Sequence, residues 1–117
     1  MSNFIYQPNK SLSEIRERAL VERLKDRDYR NEYLLDAIEM GDTVYLYSAV
    51  YWSCYALGIG KVAEAVGVSR KQISRLRDAE HSPRLEVMED ILAFLGVDTV
   101  QTLLAKLAEA KAKIQAA

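Results

Sequence analysis

Basic side chains concentrate in one short stretch of the chain, residues 59–78, which reads IGKVAEAVGVSRKQISRLRD. Between Lys61 and Arg77 five charged residues are basic and only Glu64 is acidic. Lysine and arginine donate hydrogen bonds to phosphate oxygens and to the acceptor edges of purines. The whole chain has a net charge of −1 and a pI of about 5.9. Attraction to a polyanion must therefore come from this local patch and not from a global basic field.

The small and apolar residues of the same stretch are spaced as two short helices joined by a tight turn. Two helices that cross closely need a small residue at the crossing, which Ala63 provides. The turn needs a residue that tolerates positive φ, and Gly67 follows four positions later. The apolar residues expected to hold the second helix against the first are Val62, Val66, Val68, Ile73 and Leu76. The pattern predicts a DNA-binding helix-turn-helix, whose second helix reads the major groove.

The second helix should turn its remaining, mostly basic side chains toward solvent. Residues near its start should reach base edges, where arginine or lysine pairs with guanine and glutamine pairs with adenine. The predicted base-reading residues are Arg70, Lys71, Gln72 and Arg75. The predicted phosphate contacts, which position a protein without specifying sequence, are Lys61, Ser69, Arg77 and Arg84. The alternative is a solvated basic face on a helical hairpin used only for packing, which the combined spacing and charge make the weaker interpretation.

The chain offers few residues for catalysis or metal binding. Its one cysteine, Cys54, cannot form an internal disulfide, and with the one histidine, His81, it cannot complete a four-ligand zinc site. Cys54 lies among apolar residues, which favours a small buried side chain over a reactive thiol. His81 precedes a Ser-Pro pair and is expected in a surface loop. Because no nucleophile is paired with a base, we expect neither catalysis nor a cofactor.

Residues 43–60 carry no charge and include four tyrosines and the only tryptophan. This length is close to the minimum of roughly 18 residues for a membrane span. A spanning helix keeps its tyrosines at the two interfaces, whereas these are spread throughout, and Gly58 interrupts the end. We therefore expect no membrane span. The N-terminus lacks the basic start and apolar run of a secretory signal, so the expected location is the cytoplasm.

The VYLY segment within this stretch has strand propensity, but helical spacing explains more of it. At 100° per residue, one face collects the small and aliphatic residues Leu46, Ala49, Val50, Ser53 and Leu57. Tyr47, Tyr51 and Tyr55 form the opposite face. Tyr51, Trp52 and Tyr55 are a possible partner interface, because aromatic residues are favoured there, unless the terminal helices cover them. Base stacking on these rings is disfavoured because no basic residues are interleaved with them.

Capping signals divide the N-terminal half into helices. Ser11-Leu12-Ser13-Glu14 is a capping box, which predicts a helix from about Leu12 to Lys25. Asp28 is expected to cap a second helix, which Gly41 ends in the left-handed conformation. Asp42 or Thr43 then caps the uncharged helix, which ends at Gly58.

Similar signals mark the C-terminal half. Ser69 is expected to cap a helix from Arg70 to Ala79. Ser82 is expected to cap the next helix, with Pro83 in its first turn. The final segment, after Asp98, carries apolar residues in a heptad and predicts an amphipathic helix that packs on its own domain or at a dimer seam.

The order of these pieces resembles a known family. KDRDYRNEYLLDAIEMGD at residues 25–42, then the helix-turn-helix, then HSPRLEVMEDILAFLGV at residues 81–97, resemble antidote (antitoxin) proteins of type II toxin–antitoxin modules. The resemblance covers residues 24–97. It implies a Cro/repressor-like fold, a homodimer that binds a double-stranded operator at its own promoter, and a RelE/ParE-like toxin as partner. Two departures are the aromatic rather than charged helix at residues 43–57 and the extensions at both ends.

We therefore predict an all-α, lambda-repressor-like helix-turn-helix bundle with extra N- and C-terminal helices. Its expected parts are an N-terminal arm and helix (1–27), the DNA-binding domain (28–98) and a C-terminal amphipathic helix (99–117). The predicted function is a sequence-specific transcriptional repressor that serves as an antitoxin. The alternatives are a stand-alone phage or chromosomal regulator without a toxin, and a protein-interaction module that has lost DNA binding.

Overall fold

The computed structural model describes residues 11–79, 82–97 and 111–114, and these ranges are helical with short connections and no strand. The elements in chain order are α1 Leu12–Leu24, α2 Arg27–Met40, α3 Thr43–Leu57, α4 Ile59–Val66, α5 Arg70–Ser74, the 3-10 helix Arg75–Asp78, and α6 Leu85–Phe94. The predicted all-α class is confirmed. His81, Asp98 and most of the predicted last helix lie outside the described residues, although residues 111–114 are helical.

Side chains near each helix start explain where α1, α2 and α3 begin. Ser11 Oγ accepts a hydrogen bond from the Glu14 backbone N–H at 3.2 Å, as predicted. The expectation that Asp28 caps α2 is wrong, because Asp26 takes that position. Asp26 has an extended backbone, and its Oδ1 accepts from the N–H groups of Asp28 and Tyr29 at 2.8 and 3.3 Å. Asp28 instead lies in the first turn, where a negative charge suits the positive end of the helix.

Helix α3 is the centre of the bundle and contacts α1, α2, α4, α5 and the 3-10 helix. Asp42 caps it by accepting from two backbone N–H groups, and Gly58 ends it at φ 104°. Its small and aliphatic face is buried as predicted, with Ala49, Val50 and Ser53 inaccessible to solvent. The Ser53 hydroxyl donates to the Ala49 carbonyl at 2.9 Å, so its burial leaves no unpaired polar group.

The start of α6 differs from the expectation. Arg84 occupies the cap position with no side-chain hydrogen bond, and the helix begins at Leu85. Ser82 does not cap it, because the helix starts three residues later, and Pro83 precedes the helix and is not in its first turn. The Ser82 hydroxyl is hydrogen-bonded to the Tyr47 hydroxyl at 3.1 Å. This bond ties the connection before α6 to α3. The side chains of α6 that complete the core are Met88, Ile91 and Leu92, followed by Leu95 and Val97.

A buried arginine joins the N-terminal helices to the end of α6. Arg30 is 6% exposed, and its Nε donates to the Leu95 carbonyl at 2.8 Å. Its Nη1 donates to the carbonyl of Leu24 at 3.0 Å and, at 3.5 Å, to that of Lys25. The last carbonyls of a helix lack partners within the helix, and a cation there is favoured by the helix dipole. Arg30 therefore satisfies the ends of α1 and α6 with one guanidinium.

None of the helices in the described ranges has the length and apolar character needed to cross a membrane. Helix α3, the most apolar stretch noted in the sequence, has 15 residues, whereas a transmembrane helix needs about 20.

Candidate nucleic-acid interface

The turn between α4 and α5 has the geometry that the spacing predicts. Gly67 is left-handed, at φ 82° and ψ 33°, a conformation that costs other residues energy. The N–H groups of Gly67 and Val68 both donate to the Ala63 carbonyl, at 2.9 and 3.0 Å. These bonds close α4, after which Ser69 is extended and starts α5.

The inner side of α5 and of the 3-10 helix after it packs as predicted. Ile73 is inaccessible to solvent and Leu76 is 2% exposed. Both belong to the core cluster that includes Val62 and Ala63 of α4. The small side chain of Ala63, 4% exposed, lies where the two helices meet. The core therefore fixes which side of α5 faces solvent.

A complete capping box fixes the first turn of α5. Ser69 Oγ accepts from the Gln72 backbone N–H at 3.2 Å, and Gln72 Oε1 accepts from the Ser69 backbone N–H at 2.8 Å. Gln72 was predicted to pair with adenine, which requires its carbonyl oxygen as an acceptor. In the structure that oxygen already accepts from the Ser69 N–H, which leaves its second lone pair and the amide nitrogen for other partners. Ser69, predicted to contact phosphate, is the other half of the cap.

The helix predicted to run from Arg70 to Ala79 is shorter than expected. It is α-helical only to Ser74 and continues as the 3-10 helix Arg75–Asp78, which Ala79 ends at φ 52°. The 3-10 helix packs directly on α3. Its tighter winding changes the direction of the side chains that follow Ser74, because a 3-10 helix has 3.0 residues per turn.

Arg77 illustrates this change of direction. Its Cζ lies 5.3 Å from the ring centre of Trp52 and 5.9 Å from that of Tyr51, which is cation–π geometry. The rings of Tyr51, Trp52 and Tyr55 contact each other with centroid separations of 5.0 to 6.2 Å. Arg77, predicted as a phosphate contact, thus rests on the aromatic face of α3.

Burial within one chain removes one of the three aromatic residues from the predicted partner interface. Tyr51 is 7% exposed and belongs to the core cluster, so it is covered within one chain. Trp52 is half-buried and Tyr55 is 51% exposed. The partner interface thus remains a prediction only for Trp52 and Tyr55.

Arg70 lies against the first turn of α4. A Cβ atom built on Gly60 would lie 2.5 Å from Nη2 and 2.7 Å from Cζ of Arg70, so a larger residue at this position would displace the guanidinium. Gly58, which precedes α4, supplies no side-chain cap to its N-terminus. Arg70 was predicted to read bases, and in this structure its guanidinium lies beside a helix start, a location that also suits phosphate.

The other basic residues form an open surface. Lys61 and Lys71 are exposed and Arg75 is half-exposed, and Arg84 is exposed at the start of α6. Within the described ranges, an ion pair joins Lys25 and Glu22, and none of these four basic residues takes part in one. Their positive charge is therefore not neutralised by a neighbouring carboxylate.

Cys54 has the structural role that the sequence predicts. It is inaccessible to solvent, and burial raises the pKa of its thiol from 9.0 to about 12. The thiol thus stays protonated and unreactive at neutral pH. Among the described residues, no group of three or more histidine, cysteine or acidic side chains could hold a metal ion.

Comparison with known protein families bears on the same segment. Residues 59–102 match the helix-turn-helix family. The match begins at the first residue of α4 and includes the turn, α5 and α6, whereas α1 to α3 precede it. This helix-turn-helix match supports a sequence-specific DNA-binding transcriptional regulator. Searches of curated proteins and of solved structures give no significant match.

Sequence reasoning missed Arg30, although a signal was present. Arg30, Leu34 and Ala37 are spaced as one face of a helix, and the latter two are fully buried. An arginine on an apolar face must find acceptors, because a buried charge without partners is costly. The contact of Arg70 with Gly60 had no such signal, because it depends on the crossing of two helices.

Proposed function

We propose that the protein is a transcriptional repressor that binds double-stranded DNA in the cytoplasm through α5. The observation that carries the proposal is the outer side of α5, where Arg70 and Lys71 are exposed. Ile73 of α5 and Leu76 of the following 3-10 helix are buried and anchor the opposite side. Lys61 extends this basic surface onto α4. Such a helix can enter the major groove while the neighbouring basic residues contact phosphates.

The experiment is a mobility shift of the DNA upstream of the protein's own gene, over a series of salt concentrations. Binding that weakens steeply with salt is expected, because each phosphate contact releases counterions and contributes about 0.9 to the logarithmic slope. If no shift occurs even at low salt, the repressor proposal fails and the protein-interaction alternative gains support.

We further propose that the protein binds DNA as a homodimer. Large apolar side chains remain exposed in the single chain, among them Met40 (61%), Val44 (62%) and Phe94 (38%), which supports association. Two helix-turn-helix units in a symmetric dimer contact half-sites about 34–36 Å apart, one turn of the DNA. Light scattering measures the mass of the free protein, and a monomer at micromolar concentration would count against the dimer.

The antitoxin role is a finer proposal that rests on the resemblance of residues 24–97 to antidote proteins. The structure is compatible with it, since α2 and the Gly41-Asp42 turn come directly before α3 and the helix-turn-helix. Co-expression with the adjacent reading frame, followed by purification through a tag on this chain, tests it. Recovery of a small basic partner supports the antitoxin, whereas recovery of the protein alone favours the stand-alone regulator.

A further inference from the structure

The outer surface of α5 presents almost only hydrogen-bond donors, and this restricts the bases it can read. Lysine and arginine side chains donate and never accept. Glutamine normally does both, and so Gln72 is the candidate base reader on which the character of this surface depends. Its Oε1 is held by the Ser69 backbone N–H at 2.8 Å, which orients the amide so that Nε2 points away from the cap.

Both hydrogen bonds of the capping box hold Gln72 in this orientation. The reciprocal bond, from the Gln72 N–H to Ser69 Oγ at 3.2 Å, holds the same turn. Pairing with adenine would require Oε1 to accept from the adenine amino group with its second lone pair while the first stays on the Ser69 N–H, so one oxygen would have to serve both the cap and the base. Donation from Nε2 keeps both cap bonds. The hydroxyls of Ser69 and Ser74 can donate or accept, so they favour neither a donor nor an acceptor on the base.

Bases differ in what they offer such a surface. In the major groove guanine offers two acceptors, O6 and N7, and thymine offers the O4 acceptor. Adenine combines an acceptor with an amino donor, and cytosine offers only an amino donor. An amino group facing lysine, arginine or the Gln72 amide nitrogen would meet another donor and remain unpaired.

We infer that α5 selects keto bases, guanine first and thymine second, on the strand that it contacts, and that Gln72 acts there as a donor. This inference rests on the proposed DNA-binding function and deepens it by naming the class of base edge that is read. It replaces the pairing of Gln72 with adenine that the residue type alone suggests.

The test is selection of bound duplexes from a randomised pool at low salt, carried out with the full chain and with Gln72→Glu. Glutamate keeps an acceptor for the Ser69 N–H, and it is the usual partner in a capping box. It replaces only the outward amide nitrogen with an oxygen. Thermal unfolding at the temperature of the parent chain verifies that the cap survives.

The parent chain is expected to select guanine or thymine at the position that responds to residue 72, with a preference of about 5- to 150-fold over other bases. Gln72→Glu should move that position toward cytosine, whose amino group can donate to the carboxylate. The added negative charge weakens binding to every sequence equally, so the preference at one position isolates the role of the amide.

The remaining outcomes overturn the inference in distinguishable ways. An adenine or cytosine preference of the parent chain at that position would contradict it while leaving the DNA-binding proposal intact. A keto preference that is unchanged in Gln72→Glu would also contradict it, because the amide would then act only as a cap. If no sequence is enriched and no duplex is bound at low salt, the proposed function fails together with this inference.

Discussion

Replacing Arg30 by methionine should destabilise the whole fold, although this residue lies outside the helix-turn-helix. Methionine keeps much of the aliphatic volume and removes the guanidinium. The carbonyls of Leu24 and Leu95, at the ends of α1 and α6, then lose their donors at 3.0 and 2.8 Å. Both ends are buried, so water does not replace the guanidinium without rearrangement.

The magnitude follows from the two short bonds. A hydrogen bond to a charged group contributes about 1.5–3 kcal/mol, and the contact to Lys25 at 3.5 Å adds little. Removing the guanidinium also removes the cost of keeping a charge buried, which offsets part of the loss. We expect Arg30→Met to lower the free energy of unfolding by about 3 kcal/mol, a large part of the 5–15 kcal/mol typical of a domain.

Urea unfolding followed by circular dichroism measures this change. Arg18→Met, an equal change at an exposed position of α1, is the matched control and should cost at most about 0.5 kcal/mol. Arg30→Lys should fall between them, because one ammonium group cannot reproduce the planar fork that reaches both carbonyls. If Arg30→Met and Arg18→Met are equally stable, Arg30 does not join the two helix ends.

Three further changes probe the turn, the aromatic face and the buried thiol. Gly67→Ala meets no atom within 4 Å but has φ 82°, so it should cost about 1–2 kcal/mol in urea unfolding, and equal stability would contradict the turn geometry. Arg77→Gln should lower stability by about 0.5–1 kcal/mol and shift the Trp52 emission, and should leave the salt slope of DNA binding unchanged. If the variant reduces the slope of log affinity against log salt by about 0.9, Arg77 contacts a phosphate after all. Burial raises the pKa of Cys54 above its value in the unfolded chain, so its stabilising contribution is complete below about pH 9 and is lost as the pH rises toward 12. Cys54→Ala should therefore be less sensitive to alkali than the parent chain, and equal alkaline unfolding midpoints would refute this.

Most features set by neighbouring residues were predictable from the sequence, although the cap of α2 was placed at Asp28 and lies at Asp26. The caps at Ser11, Asp42 and Ser69 and the turn at Gly67 each depend on atoms within five residues along the chain. The Ser69-x-x-Gln72 pattern is also a capping box in the sequence. The residue types nevertheless predict DNA contacts for Ser69 and Gln72, because they do not reveal whether a glutamine caps a helix or reads a base.

Features set by distant residues were not predictable in the same way. Ser82 has a sequence suited to a cap, but Tyr47, 35 residues away, takes its hydroxyl. The second half of the helix predicted at Arg70 to Ala79 winds as a 3-10 helix where it packs on α3. Arg30 reaches a carbonyl 65 residues away. In each case a tertiary contact overrides or adds to a local preference.

DNA binding by the exposed basic residues of α5 can be measured by fluorescence anisotropy of labelled upstream DNA. The proteins compared are the parent chain, Arg70→Ala/Lys71→Ala and Arg16→Ala/Arg18→Ala. The two double variants remove the same charge from α5 and from α1, where both arginines are exposed. The α5 variant should lose specific binding, at about 1–3 kcal/mol for each base contact, whereas the α1 variant should retain it. Equal losses in both variants, or full binding by the α5 variant, would show that α5 does not bind DNA through these residues.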